Sequence, residues 1–191
     1  FMNPALAARC FLLISYGAIV TVYKVDGVAM ATPLVELAEG KAVDMVSVFW
    51  GGASGVIGST VVGILLGAVM LFAFKLITFE IPLTIILAFN VVLGLFGSSG
   101  FDPGFHVVHT LCGGALFGAF FMATDYATSP VTPKGQIIYG IGCGVLTVIF
   151  RYFGLFPEGV TYAILLMNAC AWAIDRYAAP RRFGTKKGEV A

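Results

Sequence analysis

Thr60-Val61-Val62-Gly63-Ile64-Leu65-Leu66-Gly67-Ala68-Val69-Met70-Leu71-Phe72-Ala73-Phe74-Lys75-Leu76-Ile77-Thr78 is an apolar run with a single charge near its far end. A helix that crosses a bilayer needs about 20 predominantly apolar residues, within a range of about 17 to 25. The run therefore reads as a membrane span. Working outward, comparable runs occupy residues 4–23 before it and 82–96, 106–124, 135–152 and 160–174 after it. The expected fold is all-α: a polytopic transmembrane helical bundle with about six spans, forming one membrane domain over residues 1–191. The 82–96 run is short for a perpendicular crossing and is expected either to be broken or to borrow residues from its flanks. Glu80-Ile81-Pro82 reads as a tight turn leading into it.

Composition supports a lipid environment. Hydrophobic residues make up 59% of the chain and charged residues 11%, against about 25% charged in soluble proteins. A net charge of +1 without a basic stripe excludes a nucleic-acid partner. The cysteines Cys10, Cys112, Cys143 and Cys170 each lie in an apolar run, and none forms a Cys-x-x-Cys pair. They suit neither a disulfide framework nor a zinc or iron–sulfur site, and buried thiols are the plain reading. The opening Phe1-Met2-Asn3-Pro4 has no start methionine and no basic n-region. The chain is accordingly expected to be the later portion of a longer protein.

Residues 24–59 form the one large segment between spans, with a short charged helix around Glu36, Glu39, Lys41 and Asp44. Thr32 stands directly before Pro33, and proline is favoured at the first helical position, where its missing N–H would have had no partner. Threonine is a good cap for such an end. Unpaired N–H groups and the positive end of the helix dipole make the same position suitable for a phosphate. Orientation follows from the basic residues. The tail 176–191 carries Arg176, Arg181, Arg182, Lys186 and Lys187 and is expected in the cytoplasm. Counting spans backward places residues 24–59 outside, with Arg151, Lys24 and Lys41 as exceptions to the charge pattern.

Other residues carry two readings each. Gly63/Gly67, Gly114/Gly118 and Gly140/Gly144 are small-x-x-x-small pairs that permit close helix approach. Asp125 and Asp102 are candidates for a cation path, or else caps and interfacial carboxylates, and Glu158 shares that ambiguity. His106 and His109 share a helix face and either hold a metal or haem edge, or line a mouth or hydrogen-bond a carbonyl. Asn90 either coordinates an ion or bonds a neighbouring helix. Trp50 and Trp172 read as interface anchors.

A set of motifs adds a family resemblance. Asp26, Ala31 and Thr32 match the Asp-x-x-(Ser/Thr)-Gly-Ala-Thr signature at which a flavin transferase esterifies FMN onto threonine in membrane redox pumps, while Ala29 and Met30 depart from it. Further matches are Asn3-Pro4-Ala5, Gly55-x-Ile57-Gly58, Asp102-Pro103-x-x-His106, Gly118-Ala119-Phe120-Phe121-Met122-Ala123-Thr124-Asp125, Thr128-Ser129-Pro130-x-Thr132-Pro133-Lys134-Gly135 and Asp175-Arg176-Tyr177. In order and spacing these resemble the family that includes the D subunit of the Rnf ferredoxin:NAD+ oxidoreductase complex and the B subunit of the Na+-translocating NADH:quinone oxidoreductase. The D subunit is the better fit, and the family's N-terminal spans are not among these residues.

The resemblance implies covalent FMN on Thr32, a second non-covalent riboflavin in some members, and electrons arriving from another subunit that also carries covalent flavin. It further implies an exported flavin transferase for maturation, a bacterial or archaeal cytoplasmic membrane, and coupling of ferredoxin and NAD+ chemistry to Na+ or H+ transport. Asp26 would orient the modification site, bind the transferase's metal, or simply form a turn. The residues contain no phosphate loop, nicotinamide fingerprint or nucleophile–base–acid set, so no ferredoxin or NADH site is expected on this chain. Two rival readings stand beside this one: a small-solute channel or transporter built from glycine-rich helices, and a structural subunit that has lost its flavin.

Overall fold

The computed structural model describes residues 2–20, 23–25, 28–30, 33, 36, 43–52, 60–97, 101–154 and 159–179. Helix α1 (Pro4–Ser15) is capped by Asn3, whose side chain accepts from the Ala5 and Leu6 amides. It stops at Tyr16, which leaves helical geometry, and α2 (Gly17–Val20) follows. The first run is thus two pieces rather than one helix to residue 23, because Tyr23 already belongs to a strand. Strands β1 (Tyr23–Val25) and β2 (Val28–Met30) pair antiparallel, with Tyr23 opposite Met30 and Val25 opposite Val28. This small hairpin is an addition to the expected all-helical architecture.

Asp44 caps α3 (Met45–Trp50) by accepting from the Val46 amide, so it precedes a helix instead of lying in one. The remaining helices are α4 (Val61–Ala73), α5 (Glu80–Phe96), α6 (Pro103–Leu111), α7 (Ala115–Phe117, continued by a π-helical turn over Gly118–Met122), α8 (Pro133–Phe153) and α9 (Val160–Ala178). Helix α5 is not broken. It lengthens backward, and Glu80-Ile81-Pro82 is its first turn, where a missing proline N–H costs no intrahelical bond. The broken span is the fourth. It begins at Pro103, with Asp102 as cap, and bends by 65° between Leu111 and Ala115. Arg176 is still helical, so the basic tail begins later than expected, and its guanidinium lies over the Trp172 ring.

Helix α8 is the centre of the bundle, packed against α5 on one side and α9 on the other. Gly140 and Gly144 make the first of these seams. A methyl group on Gly144 would stand 2.8 Å from Ala88 Cβ and as near to the Ile85 and Phe89 backbone, and one on Gly140 would overlap Thr84. Without a hydrophobic drive between helices in lipid, such close backbone approach supplies the attraction. The other two glycine pairs are not seams: Gly67 faces Phe121 and Gly118 faces Val160, whereas Gly63 and Gly114 have open space around them.

The core joins Leu6, Ile81, Ile85, Ala119, Tyr139, Cys143 and Ile164. Ile14, Leu66, Val69, Leu95, Ile138, Leu166, Trp50 and Trp172 are exposed, and exposed apolar surface of this kind marks contact with a membrane or another protein. Among the described residues α8 alone is long and apolar enough to cross a membrane, and the bent α6–α7 pair qualifies jointly. Helices α1, α4 and α5 are apolar but shorter, at 12, 13 and 17 residues.

Candidate functional site

The candidate flavin-attachment residues Asp26, Ala31 and Thr32 lie outside the described residues. Their surroundings are described. Strand β2 ends at Met30 and Pro33 is helical, so in the sequence Thr32 stands between a strand residue and a helical one.

A polar network joins α5 to α6. Asn90 spends its amide nitrogen on the Ile86 carbonyl at 2.9 Å. Its Oδ1 is therefore an acceptor, and the proton in its 3.0 Å contact with His106 belongs to His106 Nδ1. Thr110 adds its hydroxyl, 3.2 Å from Asn90 Oδ1 and 2.7 Å from the His106 carbonyl oxygen. Asn90, His106 and Thr110 line an open recess of about 260 Å³. Asn90 thus bonds a neighbouring helix. His106 stacks on Phe101, while His109 sits against Phe105 with ring centroids 4.3 Å apart. Among the described residues no three His, Cys, Asp or Glu side chains group closely enough to hold a metal.

The bend after α6 is the other polar locus. Gly113 and Gly114 both take left-handed backbone, with φ of 72° and 68°, a conformation open to glycine and costly for most other residues. Arg151, in the last turn of α8, reaches across to donate to the carbonyl oxygens of His109 at 2.6 Å and Cys112 at 3.3 Å. Its guanidinium also lies 5.0 Å from the Phe89 ring centroid. Charge counting marks Arg151 only as an exception. The readable signal is Gly113-Gly114 inside an apolar run, a pair that punctuates helices.

The two carboxylates considered for a cation path stand at the two ends of the α6–α7 span. Asp102 caps α6 and accepts from the Gly104 amide. Asp125 accepts from the Thr128 hydroxyl at 3.1 Å and the Ala127 amide at 3.4 Å, folding the loop that follows α7. A further carboxylate, Asp175 on α9, accepts from the Val131 amide at 3.1 Å and the Thr132 amide at 3.5 Å. Thr132 in turn caps α8 through Gly135. Gly135 fits so tightly that a methyl there would stand 2.6 Å from Thr132 Oγ and 3.3 Å from Asp175 Oδ1. Residues 128–132 of that string are therefore a loop stapled to the end of α9, and Pro133, Lys134 and Gly135 are the first turn of α8.

The sequence model of the NQR2, RnfD, RnfE family matches residues 1–184. The chain is 44% identical over 197 residues to the D subunit of the Na+-translocating ferredoxin:NAD+ oxidoreductase complex of Acetobacterium woodii, with 98% of this chain and 60% of that protein aligned. It is 38% identical over 204 residues to the D subunit of the proton-translocating ferredoxin:NAD+ oxidoreductase complex of Clostridium ljungdahlii, covering 97% of this chain and 62% of the other. A third relative, the D subunit of the ion-translocating oxidoreductase complex of Stutzerimonas stutzeri, is 42% identical over 140 residues, 71% of this chain and 39% of its own. The chain spans about 60% of the length of the first two. With a helical bundle whose exterior is apolar, a broken span braced by an arginine, and this match along nearly its whole length, the chain belongs to the NQR2, RnfD, RnfE family of membrane-associated redox-complex subunits.

Proposed function

We infer that this chain is the D-type membrane subunit of an ion-translocating ferredoxin:NAD+ oxidoreductase complex and that it carries covalent FMN through the hydroxyl of Thr32. The observation that carries the reading is the 44% identity over 98% of the chain to a protein of that type. The Asp26, Ala31 and Thr32 matches to the attachment signature support the site, as does Pro33 directly after Thr32, proline being favoured at the first helical position. A flavin held there supplies exchange between two-electron and one-electron partners. The chain's part is to fix that group at Thr32, accept electrons from a neighbouring covalent-flavin subunit and hold a bundle through which the complex couples redox chemistry to Na+ or H+ movement. Relatives named for each ion are of similar identity. The segment bearing Thr32 is assigned to the outer face of the cytoplasmic membrane and the C-terminus to the cytoplasm, by the basic residues of the tail. A riboflavin site is not assigned to any residue.

The test is direct. The mature protein is denatured and run on a gel, and flavin fluorescence is sought in its band; intact mass should show one FMN added. Thr32→Val should abolish both signals, and a mature wild-type chain without them would remove the flavin assignment. The break after α6 and the glycine-rich helices are features that a passive solute pathway would share. Solute flux in liposomes lacking any redox partner would favour that reading instead.

A further inference from the structure

A helix that stops within a bilayer leaves its last carbonyl oxygens without donors, and no water is at hand to replace them. In broken membrane helices these oxygens are typical ligands for a small cation. At the end of α6 the place of such a cation is taken by the chain's own charge. The Arg151 guanidinium bonds the carbonyl oxygens of His109 and Cys112 at 2.6 and 3.3 Å, and the Phe89 ring faces it from α5 at 5.0 Å. Two carbonyl dipoles and an aromatic face surround it, each favourable to positive charge. The site is built by three separate helices, and Gly113 and Gly114 turn the chain away immediately after it. Nearby, the buried Nδ1 of His109 has no hydrogen-bond partner among the described residues, so polar capacity at the break exceeds what the protein fills.

We propose that Arg151 is a tethered cation occupying a carbonyl site at the α6–α7 break, and that it seals this break against mobile cations. The benefit of a seal rests on the ion-translocating reading above, since a redox pump must not leak the ion it moves. The seal itself is a property of this chain and is measurable without redox chemistry. Arg151→Gln empties the site of charge while leaving both carbonyls in place. Arg151→Lys keeps one charge, but its compact ammonium lacks the planar fork that reaches two acceptors together.

The experiment uses the full-length protein assembled in its complex and reconstituted into liposomes. Passive Na+ and H+ entry is measured first without redox substrates, then driven uptake with them. Arg151→Gln should raise passive entry of at least one of the two ions several-fold and lower net driven uptake while electron transfer continues. Added guanidinium ion should restore tightness to Arg151→Ala. Arg176→Gln, remote from the break, should stay as tight as wild type. An assembled Arg151→Gln complex as impermeable as wild type to both ions overturns the proposal. Should Arg151→Gln not assemble, Arg151→Ala assembled in the presence of guanidinium ion decides: a leak that appears when the guanidinium is washed out supports the seal, and a barrier that stays at the wild-type level overturns it. A wild-type complex that drives no ion uptake would instead remove the translocating function and leave the passive measurement to judge Arg151 alone.

Discussion

Tyr139 on α8 donates its hydroxyl proton to Asn168 Oδ1 on α9 over 2.6 Å, with both side chains almost wholly buried. This bond ties the two helices at the core of the bundle, where neither group can turn to water. Leaving one buried partner unsatisfied costs more than removing both. Tyr139→Phe should therefore lower stability by about 1 kcal/mol, given the modest worth of hydrogen bonds between membrane helices. Adding Asn168→Leu should recover most of the loss. Thermal unfolding of the detergent-purified protein measures both, and a double variant less stable than Tyr139→Phe would contradict the account.

The α5–α8 seam predicts a contrast between glycines. Gly144→Ala places a methyl 2.8 Å from the Ile85 carbonyl and Phe89 amide, backbone atoms that cannot rotate away. Overpacking of this kind costs about 1–3 kcal/mol. Gly63→Ala meets nothing within 4 Å, and within a helix it should be neutral or stabilising by about 0.5–1 kcal/mol. Equal effects of the two substitutions on melting temperature would refute the assignment of Gly144 to a tight seam and Gly63 to open space.

How much of the fold is legible in the sequence depends on where each signal's partner lies. Thr132-Pro133 announces α8 within two residues, and Gly140 and Gly144 announce that it packs closely. The hairpin has a local signal too, since Asp26-Gly27 between the paired valines is a dipeptide that favours two-residue hairpin loops; treating the whole segment as irregular hides it. The break in the fourth span is harder to see, because Gly113-Gly114 sits inside continuous hydrophobicity and averages away. The role of Arg151 is not legible at all. Its acceptors are carbonyls 42 and 39 positions back in the chain, and a carbonyl has no side-chain signature. At the candidate flavin site only the motif can be read, and its residues lie outside the described part.

Asp175 accepts from the Val131 and Thr132 amides and so fastens the 125–132 loop to α9. Asp175→Ala leaves those amides and the exposed end of α8 without their carboxylate, a loss comparable to that of a helix cap, about 0.5–2 kcal/mol. The helices themselves should persist. Limited proteolysis should nick the loop near Val131, which is exposed, faster in the variant than in wild type. Asp175→Asn, which keeps one acceptor oxygen, should fall between them. Unchanged cleavage in both variants would show that the loop is held by Asp125 and Thr132 alone.

Ala29 and Met30 are the two departures from the flavin-attachment signature, and both belong to β2, where Ala29 pairs with Lys24 and Met30 with Tyr23. The signature's glycine would stand at Met30, the last residue of that strand. Glycine at a strand end weakens pairing and widens the backbone conformations open to the residues that follow. If Thr32 carries FMN as proposed, a transferase approaching its hydroxyl would gain access from that loosening. Ala29→Ser with Met30→Gly should therefore raise the fraction of chains carrying FMN when maturation is limited by low transferase, with little change when the enzyme is abundant. Thr32→Ser should retain some flavin because the acceptor is still a hydroxyl, whereas Thr32→Val retains none. Flavin fluorescence per band, normalised to protein stain, reads every case. Equal occupancy of the double variant and wild type at limiting transferase would show that the hairpin's end does not govern access to the hydroxyl.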